Sequence, residues 1–184
     1  MTLNNIIKII KNIYESGNLS FLLSTYVDKD HYIHDFKKIF ADYYVENMTD
    51  FNYSKCFNIC INFSDIDCSL ASQEFEDLIS ETGSLYRLEV QLSVIAPYAL
   101  IKYLKYYKID KTIEVRSSNV PFLPNQSNAD KIIKQFLQEK CYSLLNDDIL
   151  TQAVSGVKLE LQEGTPSVYN CLFEDMSSYY PYNR

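Results

Sequence analysis

Glycine is scarce in this chain, with four residues in 184, at positions 17, 83, 156 and 164. Scattered so widely, they cannot build G-x-x-x-x-G-K-[ST] or G-x-G-x-x-G, and the G-x-S-x-G elbow of serine hydrolases is also missing. The common phosphate-cradling loops are therefore excluded. Proline is scarce too (5), and 47% of the residues are hydrophobic, which excludes a low-complexity or disordered chain. No stretch approaches the roughly 18 consecutive apolar residues of a membrane span. Met1–Asn5 lacks the basic region and continuous apolar core of a signal peptide. Basic residues are the minority, 17 against 24 acidic, for a net charge of −7. That sign disfavours nucleic acid or an anionic membrane as the main partner, because affinity for either depends on neutralising phosphates. Tryptophan is absent, whereas tyrosine (16) and phenylalanine (10) are plentiful. The density of Ile, Asn and Lys suggests AT-rich coding and says nothing about mechanism.

Five cysteines are an odd number with no framework spacing. Without a secretion signal, the reading is a cytoplasmic protein whose thiols are all reduced.

The most organised stretch is Leu85–Ser117. Leu88, Val90, Leu92 and Val94 alternate with Glu89, Gln91 and Ser93, which predicts a strand with one buried face. Pro97 interrupts the pattern, and Lys108–Lys111 is turn-like before Thr112–Arg116. The expectation is one long strand, bent at Pro97, returning as a hairpin. Leu100, Tyr103, Leu104 and Tyr107 also fit a helical stripe after Pro97; strand is preferred.

Before this stretch, Leu3, Ile6, Ile10 and Ile13 mark a helix closed by Gly17. A second helix begins near Asp28 or Asp30, with Ile33, Phe36, Phe40, Tyr43 and Tyr44 on its face. Glu46–Asn52 reads as a loop and Cys56–Phe63 as a strand. Phe75, Leu78 and Ile79 suit a short helix ending at Gly83. After it, a long helix spans Ser127–Leu145, with Cys141, Leu144 and Leu145 at the end of its stripe. Val157–Leu161 alternates briefly, and Val168–Phe173 suits a last strand. The sum is one α+β domain over 1–184, mostly antiparallel, with helices packed on one face of the sheet. It comprises an N-terminal helical pair (1–45), the sheet plus the long helix of 127–145 (55–175), and a loosely held polar tail (176–184).

Candidate chemistry is thin. His31-x2-His34 with Cys56, Cys60 and Cys68 offers zinc-ligand types. Cys56 and Cys60, however, lie four apart on a strand, about 13 Å at ordinary rise, too far to share one ion. Surface histidines and semi-buried thiols are the plainer reading, so no metal and no cofactor are expected. Cys141 and Cys171 fall in apolar runs, where a thiol acts as a small hydrophobe rather than a nucleophile. Carboxylates recur close together: Asp65 with Asp67 at strand-like spacing, Glu74, Glu76 and Asp77 in a cluster, and the adjacent pairs Asp147–Asp148 and Glu174–Asp175. Such pairs suit acid–base work or Mg²⁺, although solvated charges at element ends are commoner.

Tyrosine crowds two places: Tyr98, Tyr103, Tyr106 and Tyr107, and the terminal Tyr179, Tyr180 and Tyr182. Tyrosine supplies contact area at low entropic cost. These features point to a non-catalytic binding protein, an immunity-type protein that neutralises a cognate basic toxin domain. Glu174, Asp175, Tyr179, Tyr180 and Tyr182 are its expected interface. The rivals are a small cytoplasmic enzyme, a hydrolase or nucleotide-processing protein using carboxylates and His, and a regulatory or structural protein of a phage or mobile element.

Overall fold

The structure, a computed structural model, describes residues 2–17, 20–21, 28–63 and 72–175. Its centre is a three-stranded meander. β3 (Ser84–Ser93) reverses at residues 94–97 into β4 (Tyr98–Ile109), which reverses at Asp110 and Lys111 into β5 (Thr112–Ser118). The run Tyr98–Tyr107 is therefore strand. The expected single strand bent at Pro97 is instead two antiparallel strands, with Leu92 opposite Ala99. Pro97 has no N–H to give to a ladder, so the chain turns where the hydrogen bonding must break. Tyr98 N–H closes the reversal on the Ala96 carbonyl at 2.6 Å.

β2 (Cys56–Asn62) and β1 (Tyr44–Asn47) extend the sheet to the order β1-β2-β3-β4-β5, all antiparallel, and β6 (Ser143–Leu144) adds a short parallel pairing to β4. The result is an α+β fold on one mostly antiparallel sheet.

Register sorts the side chains. Phe57, Ile59 and Ile61 lie opposite Leu92, Val90 and Leu88 and share one face with them. α2 (Ile33–Ile39) and α4 (Pro124–Glu139) cover that face through Phe36, Ile133, Phe136 and Leu137. This is the expected helical layer. The other face is covered too, at both ends. At one end α1 (Leu3–Ser16), α5 (Asp147–Leu150) and α6 (Val168–Leu172) pack Ile6, Ile10, Leu150 and Tyr169 over Cys56, Tyr98 and Leu100. At the other, α3 (Gln73–Thr82) seats Phe75, Leu78 and Ile79 on Leu85, with Tyr106 and Ile113 alongside.

Several expected elements differ. α1 and α2 do not pair, because the Ile6–Ile10 stripe and the Phe36–Phe40 stripe belong to separate cores on opposite faces. Tyr44 is not helical, and Glu46 and Asn47 are not loop; Tyr44–Asn47 is a strand opposite Asn62–Ile59. Val45 there is buried, and a β-branched residue on the open edge of β2 gains more from the ladder than from another helical turn.

The helix expected at 127–145 runs from Pro124 to Glu139. Pro124 suits the first helical position, where no N–H is needed. Gln126 Oε1 accepts the N–H groups of Phe122 and Leu123 at 2.8 and 3.1 Å. The far end closes early because Cys141 adopts φ 61° and Tyr142 N–H reaches back to the Leu137 carbonyl at 2.8 Å. That is a Schellman ending without its usual glycine. Leu144 and Leu145 consequently leave the helical stripe.

The last expected strand, Val168–Phe173, is the helix α6. Ser167 Oγ accepts Asn170 N–H at 3.2 Å while Asn170 Oδ1 accepts Ser167 N–H at 3.0 Å, a reciprocal cap that commits the backbone to a helix. Val157–Leu161 forms no strand. No helix among the described residues is long and apolar enough to cross a membrane.

Candidate functional site

Alternation in β3 gave a strand with one apolar face and one polar face. Both faces are buried. Arg87 and Gln91 are 0% exposed, Glu89 7% and Lys102 2%, all on the face opposite the α2–α4 layer. Cross-strand pairing assembles them in rungs. Glu46, Cys60, Glu89 and Lys102 form one; Asn62, Arg87 and Leu104 lie on one side of it, and Asn58, Gln91 and Leu100 on the other.

Burying such charges is costly unless each finds a partner. The cations do. Arg87 Nη1 donates to Glu46 Oε2 at 3.1 Å, and its guanidinium lies over the rings of Phe75 and Tyr106. Lys102 Nζ donates to Asn119 Oδ1 at 2.6 Å and pairs with Asp147 at 2.5 Å. Lys55 pairs with Asp175 and donates to the Asn170 carbonyl at 3.1 Å. Burial lowers the Lys55 ammonium to about 8.

Two carboxylates on this face form no ion pair among the described residues. Glu89 accepts from the amide of Gln91 at 2.8 Å and from the side chain of Asn58. The same Gln91 Nε2 reaches Glu174 Oε1 at 3.4 Å, so one amide spans both carboxylates. Burial raises Glu89 above the ordinary carboxylate range, and burial followed by the proximity of Glu89 raises Glu174. The amide oxygens Asn58 Oδ1 and Gln91 Oε1 are buried without a donor. Two amide acceptors therefore stand beside Glu89 without a donor, while Glu174 accepts from the side chain of Tyr169 as well.

A half-open pocket of about 280 Å³ meets this cluster. Met48, Leu104, Tyr106 and Val115 give it apolar walls, and Asn58, Cys60 and Glu89 supply its polar lining. Tyr106 is also the residue against which Phe75 of α3 packs edge-on, at 5.2 Å between ring centres. α3 thus borders the pocket, and its Glu74, Glu76, Asp77 and Glu81 face solvent with no ion pair among the described residues.

The residues singled out from sequence scatter around this arrangement. Glu174 is turned toward Gln91, and Asp175 is bonded to Lys55. Tyr179, Tyr180, Tyr182, Asp65, Asp67 and Cys68 lie outside the described residues. Tyr98 and Tyr103 are buried, and the Tyr103 hydroxyl donates to Asp130 at 2.5 Å. His31 and His34 are exposed, with His31 against Tyr32 and Phe57. Burial pushes the thiols of Cys60 and Cys171 up to about 12 and that of Cys56 well above its usual range, which makes them poor nucleophiles. No group of three or more His, Cys, Asp or Glu side chains stands close enough to hold a metal among the described residues.

The residues missed were Glu89, Gln91 and Asn58, while Cys60 was weighed only as a metal ligand. One signal did exist. Cys56, Asn58, Cys60 and Asn62 make a small, weakly polar face in β2, and cysteine and asparagine there suit a covered surface better than a solvated one.

In class, this is a single-sheet α+β protein with a partly covered, charge-bearing sheet face. No protein-family model, curated protein or solved structure matches the chain.

The raised carboxyls have a consequence for stability. A folded state whose carboxyl is raised binds more protons than the unfolded chain between the ordinary value and the raised one, so stability falls as pH rises through that window. Glu89→Gln removes this loss and lets the new amide donate to Asn58 Oδ1 or Gln91 Oε1. The variant should be more stable than wild type by about 1 kcal/mol at pH 7 to 8, and the advantage should vanish toward pH 4.5. Urea unfolding of both proteins across that range measures the difference. A constant offset would mean that Glu89 is not raised in the folded state.

Proposed function

We propose that this is a non-catalytic binding protein of the cytoplasm, of the immunity type, that engages a basic partner such as a toxin domain. One observation carries the reading. On one sheet face the cations are matched internally while Glu89 and Glu174 form no ion pair among the described residues, and the solvent-facing carboxylates of the neighbouring α3 form none either. An unmatched negative face with a pocket in it complements a positive surface and steers its approach. Because Glu174 and Asp175 are tied inside the molecule, the contact we propose centres on the pocket and α3.

Affinity capture from the native host should retain one stoichiometric basic protein. Charge reversal of Glu74 and Asp77 to Lys should then slow association with that protein by about tenfold at low salt, and less at high salt. Recovery of no such partner, or an association rate indifferent to both charge and salt, would sink the reading.

A second reading, acid–base catalysis by a small hydrolase, is favoured by the Glu89–Glu174 pair itself, since two carboxyls that share one amide and are both raised resemble the paired carboxyls of acid–base sites. Turnover of a hydrolase substrate panel that drops about a hundredfold or more in Glu89→Gln would favour it.

A further inference from the structure

We propose that the pocket beside Glu89 is a slot for the guanidinium group of an arginine side chain presented by a protein partner. The inference rests on the reading of a basic partner and specifies what that partner inserts.

The pocket has the two-part character such a side chain requires. Met48, Leu104 and Val115 offer apolar contact to a methylene stem, and Tyr106 offers a ring edge or face beside it. The polar lining is Glu89, Asn58 and Cys60, and the Asn58 Oδ1 beside it is a buried amide oxygen that receives no donor. A planar, donor-only group matches this acceptor-rich lining, and the site has no use for a further acceptor.

Charge points the same way. Arg87 is committed to Glu46, Lys102 to Asp147 and Lys55 to Asp175, while Glu89 and Glu174 form no ion pair among the described residues. An incoming cation therefore meets a carboxylate that accepts from two neutral amides and feels the Lys102 ammonium only at a distance, without an ion pair among the described residues. A guanidinium suits this site better than an ammonium. It is less strongly hydrated, so entering a largely apolar pocket costs it less, and it can address two acceptors in one plane.

The probe is N-acetyl-arginine-N-methylamide, with the citrulline and lysine counterparts as controls, titrated into the full chain and followed by methyl spectra. The arginine compound should shift the Met48 and Val115 methyl signals saturably, with a dissociation constant of about millimolar order for so small a ligand. The citrulline compound, equal in shape but neutral, should bind at least about tenfold more weakly, and the lysine compound about threefold more weakly. Glu89→Gln should remove the shifts. Val115→Phe, which fills the pocket and leaves the carboxylate in place, should remove them too.

Shifts confined to other methyls, equal binding of citrulline, equal binding of lysine, or binding that survives both variants would each overturn the assignment. The two levels separate cleanly. If a basic partner is captured but the arginine compound does not bind, the slot falls and the binding reading stands. If the compound binds as described but no basic partner is found, the slot stands and the immunity-type reading falls.

Discussion

Arg87→Ala should destabilise the protein by about 3–5 kcal/mol, the range for removing one member of a buried ion pair. The side chain is fully buried, donates to Glu46 and approaches the sulfur of Cys60 at 4.0 Å. Its guanidinium is also packing material, 5.2 Å from the centre of the Phe75 ring and 6.0 Å from that of Tyr106. Truncation therefore removes charge and opens a void beneath α3 in one step. Arg87→Met restores most of the volume without the charge, and should recover about 1–2 kcal/mol of the loss. Urea or guanidinium unfolding of the three proteins measures the order. Because Arg87 sits under α3, limited proteolysis should cut the Ala variant first within that helix. Alanine and methionine variants of equal stability would show that packing beneath α3 is not what Arg87 supplies.

Phe57→Ala should cost a similar amount, about 3–5 kcal/mol, by a different route. Phe57 is fully buried on the apolar face, with Tyr32 and Phe51 edge-on at 4.9 and 5.2 Å and His31 at 6.1 Å between ring centres. It joins the approach to α2, the loop before β2 and the sheet, so none of these elements can collapse into the void alone. Phe57→Leu keeps most of the buried surface and should cost less than about 1.5 kcal/mol. Circular dichroism melts of both variants test the contrast. If alanine is tolerated as well as leucine, the aromatic cluster is not a keystone of this face.

Much of the fold was legible because its signals are local. The Ile6–Ile10 spacing with Gly17, the Phe75–Ile79 stripe with Gly83, and the alternation of Leu88 to Leu92 each report a period that one element imposes on its own residues. The errors fell where a remote contact or an unmarked cap decided. Nothing in Val168–Phe173 forbids a strand until Ser167 and Asn170 cap each other. Nothing at Cys141 announces a left-handed residue, because the usual marker is glycine. Tyr44–Asn47 became strand because β2 offered it an edge.

The site was less legible still. Glu89 and Gln91 look in sequence like the solvated side of an amphipathic strand, since a single chain shows the period of a face and not what lies over it. Composition and periodicity by themselves determined an acidic α+β chain without phosphate loops and the identity of most of its strands and helices. Only the tertiary structure decided that α3 and the α1–α6 end would cover the polar face from both sides, pairing Arg87, Lys102 and Lys55 with their carboxylates and leaving Glu89 and Glu174 without an ion pair among the described residues. The physical reason is that pairing and desolvation depend on distances between segments far apart in the chain, such as Gln91 and Glu174, and no local period encodes those distances.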